Sequence, residues 1–490
     1  MPGTAEDRLL VPGTNCWRVE STRRFSFIVD ADAYFRAARE AMCRARRSIF
    51  LIGWDFDARI ELGHNAEDGG PPRVGDFFLW LAHRNPELEI RLLRWDTGAI
   101  KAMFRGNTLL TVLRWKAHRQ ITLKLDGAHP LVGSHHQKIV VIDDALAFCG
   151  GIDMTIERWD RREHADDDPA RVRPDGSPHD PWHDATSVFD GDAARAMGDL
   201  ARDRWQAATG ETLRPVDAAD DCWPPSLAPT FSGARLGIAR TVPEVGNDEA
   251  IHEIEQASLD LIAHARRFLY VENQYFASRR IARAIAGRLA EPDGPEIVIV
   301  NPRTAEGWLE PLAMDTARAR LHEALHRMDR HGRFRILHPR TRGGADIYVH
   351  AKVIVVDDAY LRVGSSNFNN RSLGLDSECD VIVAADEPGN ESLRPRIAAI
   401  RDDLVAEHLG VEHAVVADAI ERTGSLIAAI ETLRGPGRSL TDYRRPELDG
   451  IEDWLADNQI LDPEGPDQIF ETQRRRGLFH GWRLPWKRGR

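Results

Sequence analysis

His136-Gln137-Lys138-Ile139-Val140-Val141-Ile142-Asp143 and His350-Ala351-Lys352-Val353-Ile354-Val355-Val356-Asp357 share one pattern: a His, one spacer, a Lys, four residues, an Asp. Fourteen residues after each His stands a small pair, Gly150-Gly151 or Gly364-Ser365. Seventeen residues after it stands a small polar residue, Asp153 or Asn367. One such octapeptide arises by chance. Two copies whose downstream positions also register mark an internal duplication. The chain has 490 residues, too many for one ordinary core, so it is constrained to two similar halves.

The second part of each octapeptide is Val- and Ile-rich, as in a buried strand. Alternate side chains on a strand share a face, so His136 and Lys138 point one way, as do His350 and Lys352. An imidazole beside an ammonium suits an anionic substrate. Five residues beyond each Lys, Asp143 and Asp357 fall on the opposite face of a regular strand, which makes them structural on geometry alone. The repeat extends upstream. Arg46-Arg47-Ser48-Ile49-Phe50-Leu51 parallels Arg266-Arg267-Phe268-Leu269-Tyr270-Val271, and Glu89–Leu93 parallels Glu296–Val300. Each half alternates helix and strand, the pattern of a layered α/β domain. The expected fold is two such domains, each a mixed sheet flanked by helices, related by a pseudo-twofold axis with the active site at their interface. The boundaries read as 1–212 for the first half, a Pro-rich linker at 213–235, 236–415 for the second half, and a C-terminal extension at 416–490.

The halves also offer paired carboxylates. Ser377–Val383 reads as a strand after the second octapeptide, and His183–Val188 occupies the corresponding place after the first. That alignment sets Asp184 opposite Glu378. A carboxylate behind an imidazole fixes its tautomer and stabilises the imidazolium. The first half is longer by a polar loop around Arg161–Asp180, which either rims the substrate mouth or is mobile.

These motifs resemble the phospholipase D superfamily, whose hallmark is two such octapeptides per active site. Gly150-Gly151-Ile152-Asp153 followed by Arg158-Trp159-Asp160, then Pro181-Trp182-His183-Asp184, resemble its eukaryotic-type and bacterial phospholipase D and cardiolipin synthase branch. So do Tyr270–Phe276, and Gly364-Ser365-Ser366-Asn367 with Asn370-Arg371-Ser372 and Asp376-Ser377-Glu378. The resemblance implies that Asp143 and Asp357 belong to the site as motif members in a supporting role. It supports Glu378 as the residue behind an imidazole; for Asp184 the repeat and a similar His-Asp segment speak. It implies a covalent phosphohistidine, with His136 as nucleophile and His350 as general acid. Lys138 and Lys352 then neutralise the phosphate oxygens. Asn367 and Asp153 complete the phosphate cradle, although an ionised Asp153 repels phosphate and would orient a Lys instead or face away. No cofactor and no metal are expected, because no His or Cys cluster has zinc spacing and the Lys pair stands in for a cation. The implied substrate is a phospholipid ester, hydrolysed or transferred. The alternatives are a cardiolipin synthase-like phosphatidyltransferase and a nucleic-acid phosphodiesterase.

Composition narrows the partners. A net charge of −12 argues against a non-specific nucleic-acid binder. No run of ~18 apolar residues is present, and Met1–Val11 lacks the apolar centre of a signal peptide. Five scattered cysteines fit a reducing compartment. Together these favour a cytoplasmic protein or one peripheral on a membrane, with export by an unmarked route left open. Oligomeric state is not legible. Residues 474–490 hold seven Lys or Arg and no acid, interleaved with Phe479, Trp482 and Trp486. Such a segment suits an anionic membrane surface, each basic side chain contributing up to ~1 kcal/mol there. A chain ending at Gln473 is expected to bind anionic vesicles more weakly at low salt while turning over a short-chain soluble substrate normally. Equal vesicle binding would reduce the segment to a solvated terminus.

Overall fold

The computed structural model describes residues 8–63, 67–96, 108–130, 133–217, 221–245, 249–306 and 314–444. The basic segment 474–490 and the group Ile451, Trp454 and Leu455 lie outside them. The strands are β1 (Arg18–Val29), β2 (Ser48–Gly53), β3 (Glu89–Trp95), β4 (Ile121–Asp126), β5 (Ile139–Ile142), β6 (Leu146–Gly150), β7 (Trp182–His183), β8 (Ala185–Asp190), β9 (Phe231–Val242), β10 (Ile251–His252), β11 (Phe268–Asn273), β12 (Glu296–Val300), β13 (Phe334–Arg340), β14 (Tyr348–Val349), β15 (Lys352–Val356), β16 (Tyr360–Gly364), β17 (Glu378–Ala384) and β18 (Ser439–Asp442). All but β7 and β14 join one mixed sheet, in the order β18-β13-β12-β11-β15-β16-β17-β9-β1-β8-β6-β5-β2-β3-β4, with β10 on β9.

That order is a palindrome. Outward from the centre, β1-β8-β6-β5-β2-β3-β4 in one half mirrors β9-β17-β16-β15-β11-β12-β13 in the other. The halves meet where β1 and β9 pair antiparallel, from Arg18 opposite Ile238 to Phe25 opposite Phe231. This seam carries the pseudo-twofold axis. β9 begins at Phe231, so residues 231–235, read as the end of the linker, are strand and form part of the seam. The apolar alternation of each octapeptide now has a physical meaning. Ile139 and Val141, with Val353 and Val355, enter one core shared by both halves. Val140 and Ile142 face a core private to the first half. Ile354 and Val356 face a third core, built from the second half together with Leu9, Leu10 and Cys16 of the N-terminal segment. Both faces of these strands are buried, hence the unbroken Val/Ile runs. Helices Gly191–Thr209 and Arg394–Leu409 cover the shared face. Helix Leu426–Leu433 of the C-terminal extension adds Leu426, Ile427, Ala429 and Ile430 to it.

One expectation is corrected. His136 and Lys138 do not lie on one regular strand of the large sheet, because β5 begins at Ile139 and β15 at Lys352. Each His sits where the chain leaves its own half to lie against the other. Each motif Asp likewise lies past its strand, in the hairpin turn. Asp143 and Asp144 have φ 52 and 48, and Ala145 N–H donates to Ile142 O at 2.9 Å, the tight turn that suits strand twist. Asp357 has φ 54, and Asn and Asp tolerate this left-handed region better than most residues. The Asp143 carboxylate accepts the N–H groups of Arg46, Arg47 and Ser48 at 2.6, 2.8 and 2.6 Å. Asp357 accepts those of Arg266, Arg267 and Phe268 at 2.9, 2.8 and 2.7 Å. Each Asp therefore ties its hairpin to the start of the neighbouring strand, about 20 Å along the chain from its His at the rise of a strand. Asp143→Ala is expected to lower stability by roughly 3 kcal/mol, since it strips a buried three-donor acceptor. Urea denaturation reads this as a lowered midpoint. A direct role in chemistry would instead abolish turnover and leave the midpoint in place.

Candidate active site

The two His residues are placed by exchange between the halves. β14, just before His350, pairs in parallel with β7 of the first half, Tyr348 opposite Trp182 and Val349 opposite His183. His350 N–H then donates to His183 O at 2.8 Å. The first half repeats this in mirror: His135 bridges Ser377, and His136 N–H donates to Ser377 O at 2.9 Å. The residue after each pairing partner is a carboxylate, and it takes the imidazole. His136 Nδ1 lies 2.9 and 3.0 Å from the two carboxylate oxygens of Glu378. His350 Nδ1 lies 2.7 Å from Asp184 Oδ2. An Nδ1–H donated to a carboxylate leaves Nε2 as the free lone pair, the tautomer that nucleophilic or proton-transfer chemistry needs. Ser365 Oγ–H also donates to Glu378, at 2.5 Å, and Ala185 N–H donates to Asp184 at 2.8 Å.

The lysines differ in their neighbours. Lys138 Nζ stands 3.1 Å from Asp153 Oδ2 and donates to His136 O at 3.0 Å. Asp153 Oδ1 in turn accepts Trp54 N–H at 3.0 Å. Asp153 thus sits on the ammonium. Lys352 donates to His350 O and, at 3.3 Å, to Gln274 Oε1. Gln274 Oε1 also accepts from Asn367 Nδ2 at 3.4 Å, and the buried Asn367 Oδ1 has no hydrogen-bond partner.

Burial and mutual repulsion set the charges. Desolvation and the two Lys charges hold His136 well below its ordinary value. Desolvation, Lys352, Arg158 and Lys138 do the same to His350. Each imidazole feels both lysines, so the four groups converge on one locus. Burial lowers Lys352 to about 7, with Asp184 opposing the shift. Burial raises Asp184 to about 6 and Glu378 to about 8, with Lys352 and Lys138 respectively opposing. Two lysines and three carboxylates, Asp153, Asp184 and Glu378, thus surround the two imidazoles.

The small pairs have a packing role. A side chain at Gly150 would overlap Thr186 on the adjacent strand, and one at Gly364 would overlap Asp380. A side chain at Gly151 would strike the Asp184 carboxylate, whereas the matching Ser365 supplies a donor to Glu378. Sequence reading assigned no role to Ser365, Gln274, Trp54 or Arg158. Arg158 lies 4.0 Å over the Trp182 ring, which packs 5.2 Å from the His350 ring. The signal was present, since Gln274, Arg158 and Ser365 all sit inside quoted motifs; which of their neighbours face the cleft is set by the fold.

Two α/β halves that each lend an imidazole to the carboxylate of the other define a duplicated, single-chain member of the His-Lys class. Residues 41–223 match the family described as "Phospholipase D", and residues 259–394 match "Cardiolipin synthase, PLD-like domain". The chain belongs to the phospholipase D superfamily. It is similar to Phospholipase D A of Dictyostelium discoideum, 25% identical over 72% of this chain and 32% of that protein. It is similar to Phospholipase D alpha 1 of Carica papaya, 23% identical over 76% of this chain and 63% of that one. The chain thus spans from about a third to just under two thirds of the length of these relatives. In fold it is similar to the phosphatidylserine synthase of Haemophilus influenzae Rd KW20, with a TM-score of 0.53, 14% identity, and coverage of 79% of this chain and 87% of that one.

The raised Glu378 carboxyl carries a stability consequence. Its folded-state value, about 8, lies above the ordinary 4.5, so the folded protein retains a proton that the unfolded chain releases. Stability from this group is complete below 4.5 and is lost as pH rises through about 8. Lys352, lowered to about 7 from 10.5, has the opposite slope and is common to both proteins in the comparison. The melting temperature of Glu378→Gln, relative to the parent, is therefore expected to rise between pH 4.5 and about 8. Parallel pH profiles would show that Glu378 titrates normally.

Proposed function

We propose that this chain is a phospholipase D-type phosphodiesterase, cleaving the phosphatidyl ester of a phospholipid by two displacements at phosphorus. The observation that carries this reading is the exchanged pair His136–Glu378 and His350–Asp184, with both lysines acting on both imidazoles. In the first step His136 Nε2 attacks phosphorus. The N–P bond forms, the P–O bond to the head group breaks, and the leaving oxygen takes the Nε2 proton of His350, which enters this step as an imidazolium, protonated beside the bound phosphate anion that offsets the lysine charges. In the second step His350 removes a proton from water, the water oxygen attacks phosphorus, and the N–P bond breaks to restore His136. Glu378 and Asp184 hold the two tautomers. Lys138, Lys352 and Asn367 meet the non-bridging oxygens. Asp153 acts through Lys138, which it positions, rather than on phosphate. Asp143 and Asp357 hold the hairpins and stay out of the chemistry.

A second reading, transfer of the phosphatidyl group to an alcohol, uses the same intermediate with the alcohol in place of water. It is favoured by the match of residues 259–394 to a cardiolipin synthase-type domain. No helix among the described residues is long and apolar enough to cross a membrane; the basic C-terminal segment is the surface proposed to meet lipid. Product analysis separates the readings. The chain is incubated with labelled phosphatidylcholine, phosphatidylethanolamine and phosphatidylglycerol, with and without a primary alcohol. Phosphatidate as the main product supports hydrolysis, and a phosphatidyl-alcohol that displaces it supports transfer. Cleavage of nucleic acid with inert lipids would replace both.

The two imidazoles separate by leaving group. With a substrate whose leaving group needs no proton, His350→Ala is expected to accumulate a phosphoenzyme and His136→Ala to form none. The reverse pattern exchanges the roles. No adduct in the parent or in either variant defeats the covalent mechanism.

A further inference from the structure

Behind the active site, the fold assembles a second constellation that no sequence spacing announces. Asp30 follows β1, His164 lies in the polar loop Arg161–Asp180, His183 is on β7, and Glu407 is on helix Arg394–Leu409. All four are buried, and one ligand-capable atom from each falls within 4.8 Å of all the others. The facing contacts are His164 Nε2 to Asp30 Oδ2 at 3.5 Å and to Glu407 Oε1 at 3.2 Å. His183 Nδ1 lies 2.8 Å from the same Glu407 oxygen and 3.3 Å from Asp30 Oδ1. Ligand atoms about 2.0–2.1 Å from a tetrahedral zinc ion stand about 3.3 Å apart.

The remaining polar atoms of the four residues are held from behind. His164 Nδ1 is 3.0 Å from Asp160 Oδ2. His183 Nε2 is 2.7 Å from Glu272 Oε2. Glu407 Oε2 accepts from Arg162 at 2.6 Å. Asp30 Oδ1 accepts Asp184 N–H at 3.1 Å, while Asp30 Oδ2, buried and aimed at the cluster, has no hydrogen-bond partner. A carboxylate behind each ligating imidazole is the arrangement that orients metal-bound His. Charge points the same way. Of the four carboxylates, Glu407 pairs with Arg162 and Asp160 with Arg171. Among the described residues, Asp30 and Glu272 have no Lys or Arg partner. Asp30 also holds a backbone of φ 64, ψ 157, a region that is essentially Gly-only.

We propose that Asp30, His164, His183 and Glu407 form a structural site for a divalent transition metal of the zinc type. Two nitrogens and two carboxylate oxygens, closed off from solvent, suit such an ion better than calcium or magnesium, which take six or more oxygens or keep their waters. The ion pins four segments together: the end of β1, the long polar loop, β7 and helix Arg394–Leu409. It also stands one residue from Asp184, the partner of His350, so it stiffens the support of that imidazole without touching substrate.

The test uses the full-length chain purified from zinc-replete medium without chelator. Elemental analysis is expected to find one zinc per chain, and cobalt exchanged into the site is expected to give the intense visible bands of a four-coordinate ion. His164→Asn and Glu407→Gln should each lose both signals, while His350→Ala keeps them. Should the cluster variants fail to fold, X-ray absorption on the parent serves alone, with only nitrogen and oxygen donors at about 2.0–2.1 Å expected. Zinc well below one equivalent with no cobalt bands would overturn the site and leave two protons on the imidazoles as the cluster's counter-charge. Sulfur donors in the absorption spectrum, or full zinc retained by folded His164→Asn, would also overturn it.

Discussion

The hydrogen bond from each imidazole to a carboxylate of the opposite half is the interaction on which the arrangement rests. His136 belongs to the first half and is held by Glu378 of the second; His350 belongs to the second and is held by Asp184 of the first. Neither half can orient its own imidazole. Burial makes this dependence strict, because Asp184, Glu378 and Lys352 all shift toward their uncharged forms. A charge removed from water at this depth is tolerated when its partner is fixed in place. The palindromic sheet supplies that fixity. Pairing of β1 with β9 along twelve-residue strands welds the halves, and the shared core beneath the sheet leaves no sliding plane.

Much of this was legible in the sequence, because duplication repeats the physical constraints as well as the letters. The Val/Ile runs named β5 and β15, the Arg-Arg dipeptides named the starts of β2 and β11, and the small pairs named sites of close strand approach. The exchange was not legible. Alignment sets Asp184 opposite Glu378 but is silent on which imidazole each accepts, since that follows from two-residue strands, β7 and β14, too short to carry a periodic signal. The strand starts were misplaced for the same reason. His136 and His350 belong to these inter-half crossings, and no hydropathy pattern separates a crossing from the strand that follows it. The buried cluster of Asp30, His164, His183 and Glu407 was hidden differently. Its members lie as far apart as residues 30 and 407, so only the closed fold brings their ligand atoms together.

The polar loop Arg161–Asp180 is held by partners that its composition does not name. Its mixture of Arg, acids, Pro and Gly left a mouth or a mobile segment as equal readings. It packs through specific pairs: Arg161 with Asp168, Arg171 with Asp160, and Arg162 with Asp403 and Glu407 of helix Arg394–Leu409. Exposed pairs of this kind are individually weak, but Arg171, Asp160 and His164 are buried. The loop is held by its inner ends, and those ends abut the residue that precedes Asp184.

The departures from symmetry carry their own argument. Asp153 answers Lys138 with a charge, while Asn367 stands at the matching place and meets Lys352 only through Gln274. The cation of the second half is therefore the less neutralised, and it is the one that burial holds near neutrality, at about 7. On the proposed mechanism, an arriving phosphate anion changes this balance more at Lys352 than at Lys138, because Lys138 already has its counter-ion. Gly151 against Ser365 follows the same logic. The shorter Asp184 must approach closely and needs the space that glycine leaves, while Glu378 gains a hydroxyl donor. A duplicated site begins with interchangeable imidazoles; on the proposed mechanism, fixed differences in the charge beside each lysine and the donors behind each carboxylate are what allow one to attack while the other gives up its proton.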